Sequence, residues 1–485
     1  MTLSIALATV ACAAFVTSSL GAGTTGFTRP VSPPEQTNAT EPAVDVDRSD
    51  GTVWAAWQGG GTHVARSDDG GRTWLQTPIN DAFGSDVGDV DVAVGGPTPC
   101  AAATATCLPN THRVYVSSLE RLPAILQTHL AWSDDRGAHW IINQVAATNP
   151  SLIDRPWLAV RASRISAARD SVYIAYHDFS ISQIWVSSSQ DGGATFVQAD
   201  VLTGDPNAEI QSFCDTIPSG IEVDRETGEI YVLWITADPV ANTTNGCNLT
   251  QIENFHQVWI AHSANLGLTW DSHRVFDGPA ATNTDKIFAA LAVDDSGTPG
   301  VPGNVYAAFP DNLTSPTRWD IWFSRSTNRG ATWRAPVKVN SDPGTHYFPW
   351  MAAGSTDRVD FLWLGSPDET PTDAEQSPWF ATFAQTTNAT AAKVRFVQSA
   401  ASTSVMHVGD ICTFGIFCTV TDGNRDLADS ISVAIDRGGS AALVWTDQGS
   451  VLHGPTHITY GCATAGTRAL AGSNQGLSCR GPAGP

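Results

Sequence analysis

Two short stretches of the sequence combine residue types that can carry out acid–base or nucleophilic chemistry. LIDRPWLAV at residues 152–160 contains Asp154 and Arg155, and THYFPWMAA at residues 345–353 places Tyr347 at the position that matches Asp154. Both stretches share a Pro-Trp pair, which we interpret as structural. The residues that differ are therefore the candidates for function.

Glycoside hydrolysis would suit these residues, since it needs a proton donor near the leaving oxygen and a nucleophile or base across the sugar. Asp154 or Asp178 would donate the proton if burial or a neighbouring acid raised its pKa. Tyr347 is the candidate nucleophile, with Glu209 as its base. A buried tyrosine whose hydroxyl is hydrogen-bonded is an equally open interpretation of Tyr347.

Arginines on the same predicted face form a second candidate group. Arg121, Arg155, Arg318 and Arg425 fall in connections that should open on one side of the fold. Three of them, Arg155, Arg318 and Arg425, are the candidate substrate-binding residues together with His177, because guanidinium groups bind carboxylates in a bidentate manner. The alternative is that each arginine pairs with a nearby acid, as Arg155 would with Asp154.

The elements that position these residues are indicated by a repeated turn. Five segments fit the pattern Ser-x-Asp/Asn-x-Gly-x-x-aromatic, and the sixth and seventh units lack it. Long, irregular intervals between copies are typical of a repeated supersecondary unit with inserted loops. The five copies are SDDGGRTW from Ser67, SDDRGAHW from Ser133, SQDGGATF from Ser189, SANLGLTW from Ser263 and STNRGATW from Ser326.

Alternating strands surround each turn and predict an all-β fold. Runs such as IEVDRETGEIYVLW show period-2 alternation punctuated by Gly and Asp, which is typical of antiparallel hairpins. Inner strands near residues 43, 90, 157, 220, 289, 350 and 431 predict a seven-bladed β-propeller, with six blades as the alternative. The seventh blade has no clear fourth strand, so we expect residues 24–33 to supply it.

Aromatic residues near the ends of the second strands form a column that we interpret as core rather than as a ligand-stacking surface. This column comprises Trp57, Tyr176, Trp234, Phe309, Trp363 and Trp445. Acids follow several of these residues and should lie at the mouth of the channel.

The five turns resemble the Asp-box, or BNR, repeat of the sialidase superfamily. The resemblance covers residues 40–460 as architecture and implies that the turns are scaffold on the face opposite the active site. Sialidases bind the substrate carboxylate with three arginines and use a tyrosine nucleophile, an assisting glutamate and an aspartate acid/base. They usually begin with a Phe/Tyr-Arg-Ile-Pro motif, whereas FTRPVSP at residues 27–33 lacks the Ile.

The ends of the chain predict its domains and its export. Residues 1–23 are apolar and end in small residues, like a signal peptide. Lipid attachment at Cys12 is the alternative. The propeller should span residues 24–465, followed by a tail of small residues at 466–485, and no other segment is predicted to cross a membrane.

Eight further cysteines predict four local disulfides in an extracellular protein. By proximity the pairs are Cys100–Cys107, Cys214–Cys247, Cys412–Cys418 and Cys462–Cys479. No cofactor is required by the predicted chemistry. Acids crowd the starts of the inner strands, and either a structural calcium ion or solvation by water would account for them.

The net charge of −22 excludes nucleic acid as a partner and leaves glycans as the predicted one. The sequence thus predicts a secreted, sialidase-like glycoside hydrolase that removes terminal sialic acid or a related sugar. The alternatives are a non-catalytic propeller that binds glycan or protein, and another polysaccharide-degrading activity that uses two carboxyl groups. The sequence predicts no oligomeric state.

Overall fold

The protein is a seven-bladed β-propeller, as expected from the sequence. The computed structural model describes residues 26–34, 36, 38–79, 83, 88–122, 125–147, 153–178, 183–202, 208, 216–237, 255–414, 418, 423–472 and 479. Antiparallel sheets form the blades, and in each blade the strands follow one another in sequence order from the axis outward. Helix is nearly absent from the described residues, which contain one short 3-10 segment at Ala167–Arg169.

The strands are grouped here by blade. Blade 1 contains β1 Thr40–Val46, β2 Val53–Gln58, β3 Thr62–Ser67 and β4 Leu75–Gln76. Blade 2 contains β5 Val90–Pro97, β6 His112–Leu122, β7 Ile125–Ser133 and β8 Ile141–Asn143. Blade 3 contains β9 Ile153–Arg161, β10 Ser171–Asp178, β11 Gln183–Ser189 and β12 Val197–Asp200. Blade 4 contains β13 Thr216–Val223, β14 Ile230–Thr236, β15 Gln257–Ser263 and β16 Asp271–Asp277.

The remaining three blades follow the same plan with small variations. Blade 5 contains β17 Ala290–Val293, β18 Val305–Asp311, β19 Asp320–Ser326 and β20 Val337–Lys338. Blade 6 contains β21 Thr345–Ala353, β22 Val359–Ser366, β23 Pro378–Thr386 and β24 Val397–Ala400, with β25 His407–Val408 paired to β23. Blade 7 contains β26 Ser432–Ile435, β27 Ala441–Asp447 and β28 His457–Cys462.

The first strands of the blades surround a central channel, because β1, β5, β9, β13, β17, β21 and β26 contact one another in a closed ring. Carboxylates tie neighbouring strands of this ring together. Asp45 accepts a hydrogen bond from the backbone N–H of Val94 (2.7 Å), and Asp91 accepts one from Leu158 (2.9 Å). Each bond joins one blade to the next, so these acids align adjacent blades.

The N-terminal segment completes blade 7, which confirms the predicted closure of the ring. Phe27 pairs with Ala463 and Val31 pairs with Tyr460 in antiparallel bridges. The backbone of Val31 and Tyr460 exchanges hydrogen bonds of 2.9 and 2.8 Å. The outer edge of β28 is therefore covered rather than exposed, which removes a site for aggregation through edge pairing.

The repeated turns join the third and fourth strands on the face opposite the channel mouth. In the first copy, Ser67 donates its hydroxyl hydrogen bond to Asp69 (2.8 Å) and accepts one from the N–H of Gly71 (2.8 Å). Asp69 also accepts hydrogen bonds from the N–H and hydroxyl of Thr73. Gly71 has a φ of +89°, and a Cβ atom there would lie 1.9 Å from the ring of Tyr460. The serine and the acid of the pattern thus bind backbone N–H groups, and the glycine supplies the positive φ and the space that the turn requires.

Blade 6 contains a divergent copy of the same turn, which the sequence pattern missed. Thr386 replaces the serine, donating its hydroxyl to Asn388 (3.1 Å) and accepting from the N–H of that residue (3.3 Å). No glycine occupies the fifth position, where Thr390 stands. The hydrogen bonds between the first and third positions of the turn are therefore retained, although the glycine that makes the pattern recognisable is absent.

The disulfides and the aromatic column agree with the sequence predictions as far as the described residues extend. Three predicted disulfides are confirmed: Cys100–Cys107, Cys412–Cys418 and Cys462–Cys479. Cys214, Cys247 and the predicted signal peptide with Cys12 lie outside the described residues. All six aromatic residues of the predicted column are fully buried in the hydrophobic core. No helical segment in the described part of the chain has the length and apolar character that crossing a membrane requires.

Candidate functional site at the channel mouth

Bulges at the start of the inner strands direct selected side chains toward the axis. Glu41, Arg155 and Phe348 have φ values of 53°, 55° and 55°, and each is followed by proline. The pairing register shifts at each of these positions. A left-handed conformation is costly for residues other than glycine, and such strain is often found at functional sites. The three residues therefore occupy the same structural position in blades 1, 3 and 6, and each blade places a different side chain there.

Arg155 lies at the centre of a group of four carboxyl groups, Glu41, Asp89, Asp154 and Asp429, which we call the mouth cluster. Its Nη2 atom lies 2.9 Å from Glu41 Oε1 and 3.1 Å from Asp429 Oδ2, and its Nε atom lies 3.4 Å from Asp89 Oδ2. The backbone N–H of Arg155 donates to Asp154 Oδ1 at 3.0 Å. Three acids, from blades 1 and 2 and from the segment that precedes blade 7, thus converge on the guanidinium of this blade 3 residue.

The carboxyl groups of the mouth cluster differ in the direction in which their surroundings shift their pKa values. Burial raises the pKa of both Glu41 and Asp154 well above the ordinary range, and the nearby Asp89 adds to the effect. Burial also opposes ionisation of Asp89, but Arg155 and hydrogen bonds with Glu41 and Asp154 lower its pKa to about 2. Burial therefore favours the protonated form of Glu41 and Asp154, whereas Arg155 favours the ionised form of Asp89.

Aromatic rings hold the guanidinium of Arg155 from the side of blades 3 and 5. Its central carbon lies 4.7 Å from the ring centroid of Phe288 and 5.4 Å from that of Trp157. Trp157 donates its indole N–H to the carbonyl of Pro218 (3.1 Å). These contacts fix the orientation of Arg155, so the carboxyl groups around it are also fixed.

His177 and Asp178 end β10 beside the mouth cluster. His177 is the direct ladder partner of Asp154, which brings the two predicted residues onto one face of blade 3. Both His177 and Asp178 are buried. Burial lowers the pKa of His177 to about 4, so its imidazole is neutral at physiological pH.

Tyr347 lies in a separate aromatic cluster of blades 5 and 6. Its ring centroid is 4.8 Å from that of Trp379 and 6.2 Å from that of Trp319, and Lys286 Nζ lies 5.5 Å from the Tyr347 ring. Burial raises the pKa of the Tyr347 hydroxyl, with Asp410 and Asp285 contributing further. A raised pKa disfavours the phenolate that a tyrosine nucleophile would use.

The three candidate substrate-binding arginines do not form one group in the structure. Arg425 donates hydrogen bonds to both carboxylate oxygens of Asp429 and so joins Arg155 through that acid. Arg318 instead contacts Glu369 at 3.3 Å and Asp320 at 3.8 Å in blades 5 and 6. Glu209 and the side chain of Arg121 lie outside the described residues.

Glu41 is the member of the mouth cluster that sequence reasoning missed. The sequence did contain a feature that could have identified Glu41. Like Arg155 and Phe348, it directly precedes a proline at the start of an inner strand. Glu41 contacts Arg155 from 114 positions away. A local pattern does not indicate which residues meet across the axis of a closed ring.

Among the described residues, no group of three or more His, Cys, Asp or Glu side chains is placed to hold a metal ion. In the mouth cluster the guanidinium of Arg155 lies among the carboxyl groups, where a cation would otherwise bind. The calcium ion considered from the sequence thus has no ligand group in this part of the chain.

Comparisons with known proteins support the fold. No protein-family model matches the chain, and no curated protein sequence matches it. A PL25 ulvan lyase bound to a GlcA(1-4)Rha3S saccharide is similar in structure, with a TM-score of 0.50 and 9% identity over 89% of this chain and 95% of that chain.

Two further solved structures show weaker similarity. A protein of unknown function from Dyadobacter fermentans has a TM-score of 0.47 and 12% identity, over 90% of this chain and 98% of that chain. The GH93 α-L-arabinofuranosidase of Fusarium graminearum has a TM-score of 0.42 and 13% identity, over 74% of this chain and 97% of that chain. At such low identity these similarities concern architecture, so function has to be argued from the residues of the site.

Proposed function

We propose that this protein is a glycoside hydrolase that cleaves neutral glycans at the channel mouth. The observation that carries the proposal is the convergence of Glu41, Asp89, Asp154 and Asp429 around Arg155, where burial raises the pKa of Glu41 and Asp154 while Arg155 lowers that of Asp89. Asp154 is the proton donor, because it is half-buried whereas Glu41 is only 3% exposed. Asp89 is the carboxylate that stabilises positive charge developing on the sugar ring or attacks it.

Neutral glycans fit this site better than terminal sialic acid, the narrower prediction from the Asp-box resemblance. Arg155 is already bound by Glu41, Asp89 and Asp429, and Arg425 is bound by Asp429. A substrate carboxylate would have to displace these acids, leaving buried charges unpaired, which is costly. Both observations favour an uncharged sugar.

The scaffold and the cysteines are compatible with a glycan-active enzyme outside the cell. The repeated turns have the residue pattern of Asp-boxes, and a polysaccharide lyase has a similar fold. Disulfides persist in oxidising compartments, which agrees with the signal peptide proposed for residues 1–23. We propose on the same grounds that the propeller spans residues 24–465 and that residues 466–485 are a tail.

Assays of the full chain on neutral polysaccharides and oligosaccharides test the proposal, with release of reducing ends as the readout. We expect turnover by the wild type and a loss of about 100-fold or more in Asp154→Asn and Asp89→Asn, since general acid catalysis contributes at least that much. Asp360→Asn is the matched control. Asp360 is also a buried acid whose pKa burial raises, to about 7, but it lies near the start of β22 at the opposite end of its blade.

Three results would contradict the proposal. Equal turnover by Asp154→Asn and the wild type would exclude the mouth cluster as the site. Turnover of an α-sialoside but of no neutral glycan would establish the sialidase prediction instead. Saturable glycan binding without turnover by folded protein would identify a non-catalytic binding module.

A further inference from the structure

A cavity of about 540 Å³ lies where blade 7 faces the end of the fourth strand of blade 6. We call it the interblade cavity. Blade 7 contributes one wall from β27, β28 and the N-terminal segment, and residues 402–405 contribute the other. The residues that line it include none of the mouth cluster, so it is a separate site.

The pairing of β27 with β28 explains why polar side chains face this cavity. Trp445 is opposite Thr459, and Asp447 is opposite His457. Opposed residues of an antiparallel pair project to the same side, and so do residues two positions apart. The side chains of these four residues therefore form one patch on the face of blade 7.

The N-terminal segment extends the same patch. Val31 pairs with Tyr460, so its neighbours Pro30 and Ser32 project to the opposite side, together with Thr459. Both Pro30 and Ser32 line the cavity. Closure of the ring by the N-terminal segment thus also completes a wall of the cavity.

Several polar groups of the cavity retain hydrogen-bonding capacity. Asp447 accepts bonds from the N–H of Gly449 (2.9 Å) and, more weakly, from the indole N–H of Trp445 (3.4 Å). A carboxylate can accept about four hydrogen bonds, which leaves about two for a ligand. His457 is half-buried opposite Asp447, with which it interacts electrostatically, and Ser404 and Ser450 are exposed residues of the lining.

The lining selects a class of ligand by its chemistry. Among the described residues that line the cavity there is no Lys or Arg, so an anionic ligand would meet Asp447 without a fixed cation to offset it. The hydroxyl groups of Ser32 and Ser404 lie beside the apolar side chains of Pro30 and Val405, and such a mixed lining suits a sugar, which has both polar edges and apolar faces. The volume falls within the range of about 300–1,000 Å³ that small-molecule sites occupy.

We propose that the interblade cavity binds a neutral saccharide unit, held by the carboxylate of Asp447 and the imidazole of His457. Adjacent sugar hydroxyls would donate to Asp447 and exchange a hydrogen bond with His457, while the exposed Ser404 of the facing wall binds the other edge. The site is non-catalytic and retains a glycan independently of the mouth cluster.

Ligand-observed NMR on the full chain tests this proposal, with glucose, galactose, mannose, arabinose, fucose and N-acetylglucosamine as probes and glucuronate as the anionic comparison. We expect at least one neutral probe to bind saturably. Binding should weaken roughly tenfold or more in both Asp447→Ala and His457→Ala, because each variant removes a hydrogen-bonding group. Thr459→Val, a smaller change that removes one buried hydroxyl, serves if either alanine variant does not fold.

The same variants distinguish this site from the mouth cluster. Asp447→Ala should hydrolyse glycans at the wild-type rate if the proposed enzyme activity exists, since Asp447 takes no part in it. Absence of saturable binding by every neutral probe would overturn the proposal. Equal affinity in the wild type and in both variants would also overturn it, as would tighter binding of glucuronate than of all neutral sugars.

Discussion

The guanidinium of Arg155 lies 2.9 Å from the carboxyl group of Glu41, although the two residues belong to blades 3 and 1 and are 114 positions apart in the chain. Both occupy the left-handed position of a bulge that precedes proline. The contact crosses in front of blade 2, whose Asp89 also reaches Arg155. Residues of blades 1, 2 and 3 therefore meet at one buried cation together with Asp429, which precedes blade 7, and this links the closure of the ring to the geometry of the candidate site.

Removal of this cation should destabilise the fold. Arg155→Gln removes the cation beside the carboxylate of Asp89 in a buried place, and breaking a buried ion pair typically costs about 3–5 kcal/mol. The free energy of unfolding from denaturant titration measures the effect. Arg274→Gln is the control, because its exposed pair with Asp277 should contribute about 0–1 kcal/mol.

The repeated turns should tolerate asparagine but not alanine at their acid. Asp191 accepts bonds from Ser189 (2.7 Å) and from the N–H of Thr195 (2.9 Å), and Asn265 makes the equivalent bonds in blade 4. We expect Asp191→Asn to change the free energy of unfolding by less than about 0.5 kcal/mol and Asp191→Ala to lower it by about 1–2 kcal/mol. Equal losses in both variants would show that the charge matters.

Space, rather than backbone conformation alone, should decide the effect of alanine at turn glycines. Gly71 and Gly60 both have positive φ, +89° and +73°, but a Cβ atom at Gly71 would clash with Tyr460 whereas nothing lies within 4 Å at Gly60. Gly60→Ala should cost about 1 kcal/mol from strain. Gly71→Ala should cost at least about 3 kcal/mol, because overpacking adds to the strain. Thermal unfolding of the two variants side by side gives the comparison.

The stabilising contribution of two buried carboxyl groups in the central channel should fall as the pH rises from about 5 to 8. Burial raises the pKa of Asp91 to about 7 and that of Glu222 to about 8, both in the central channel of about 180 Å³. The folded state therefore binds more protons than the unfolded state between the ordinary carboxyl pKa and these values. The contribution of Asp91 and Glu222 to the free energy of unfolding is fully present below the ordinary carboxyl pKa. It is lost as the pH rises through their folded-state pKa values of about 7 and 8.

Melting temperature as a function of pH measures this effect, and Glu222→Gln should flatten the profile between pH 5 and 8. Asp45 adds to the raised pKa of Glu222, while Arg225 and Arg48 oppose it. Because the lowered pKa of buried His177 acts in the opposite direction below about pH 6.5, the comparison is between the wild type and Glu222→Gln, and a steeper fall in the variant would contradict the raised pKa of Glu222. An unchanged slope in Glu222→Gln would assign the effect to other groups.

The sequence predicted the blades well because their signals are local. Period-2 alternation and turns such as that of Ser67 determine strands and hairpins without reference to the rest of the chain. The closure by residues near Val31 followed from counting what blade 7 lacked, and the disulfide Cys462–Cys479 followed from the proximity of the two cysteines in the sequence.

The site was harder to predict, because its contacts are set by the ring and not by spacing. The sequence alone grouped Arg155, Arg318 and Arg425 on one face, but the face is wide and Arg318 lies with Glu369 instead. Side-chain pairing across the axis also decides which carboxyl groups are protonated. Neither effect leaves a periodic mark in the sequence.

The most direct test of the account is the dependence of hydrolysis on the leaving group, measured in the wild type and in Asp154→Asn with aryl glycosides of a neutral sugar. If Asp154 donates the proton, the variant should retain most of its rate on a dinitrophenyl glycoside, whose leaving group needs no protonation. It should lose about 100-fold or more on an unactivated alkyl glycoside. Equal losses on both substrates, or no loss on either, would contradict the assignment of Asp154 and with it the proposed role of the mouth cluster.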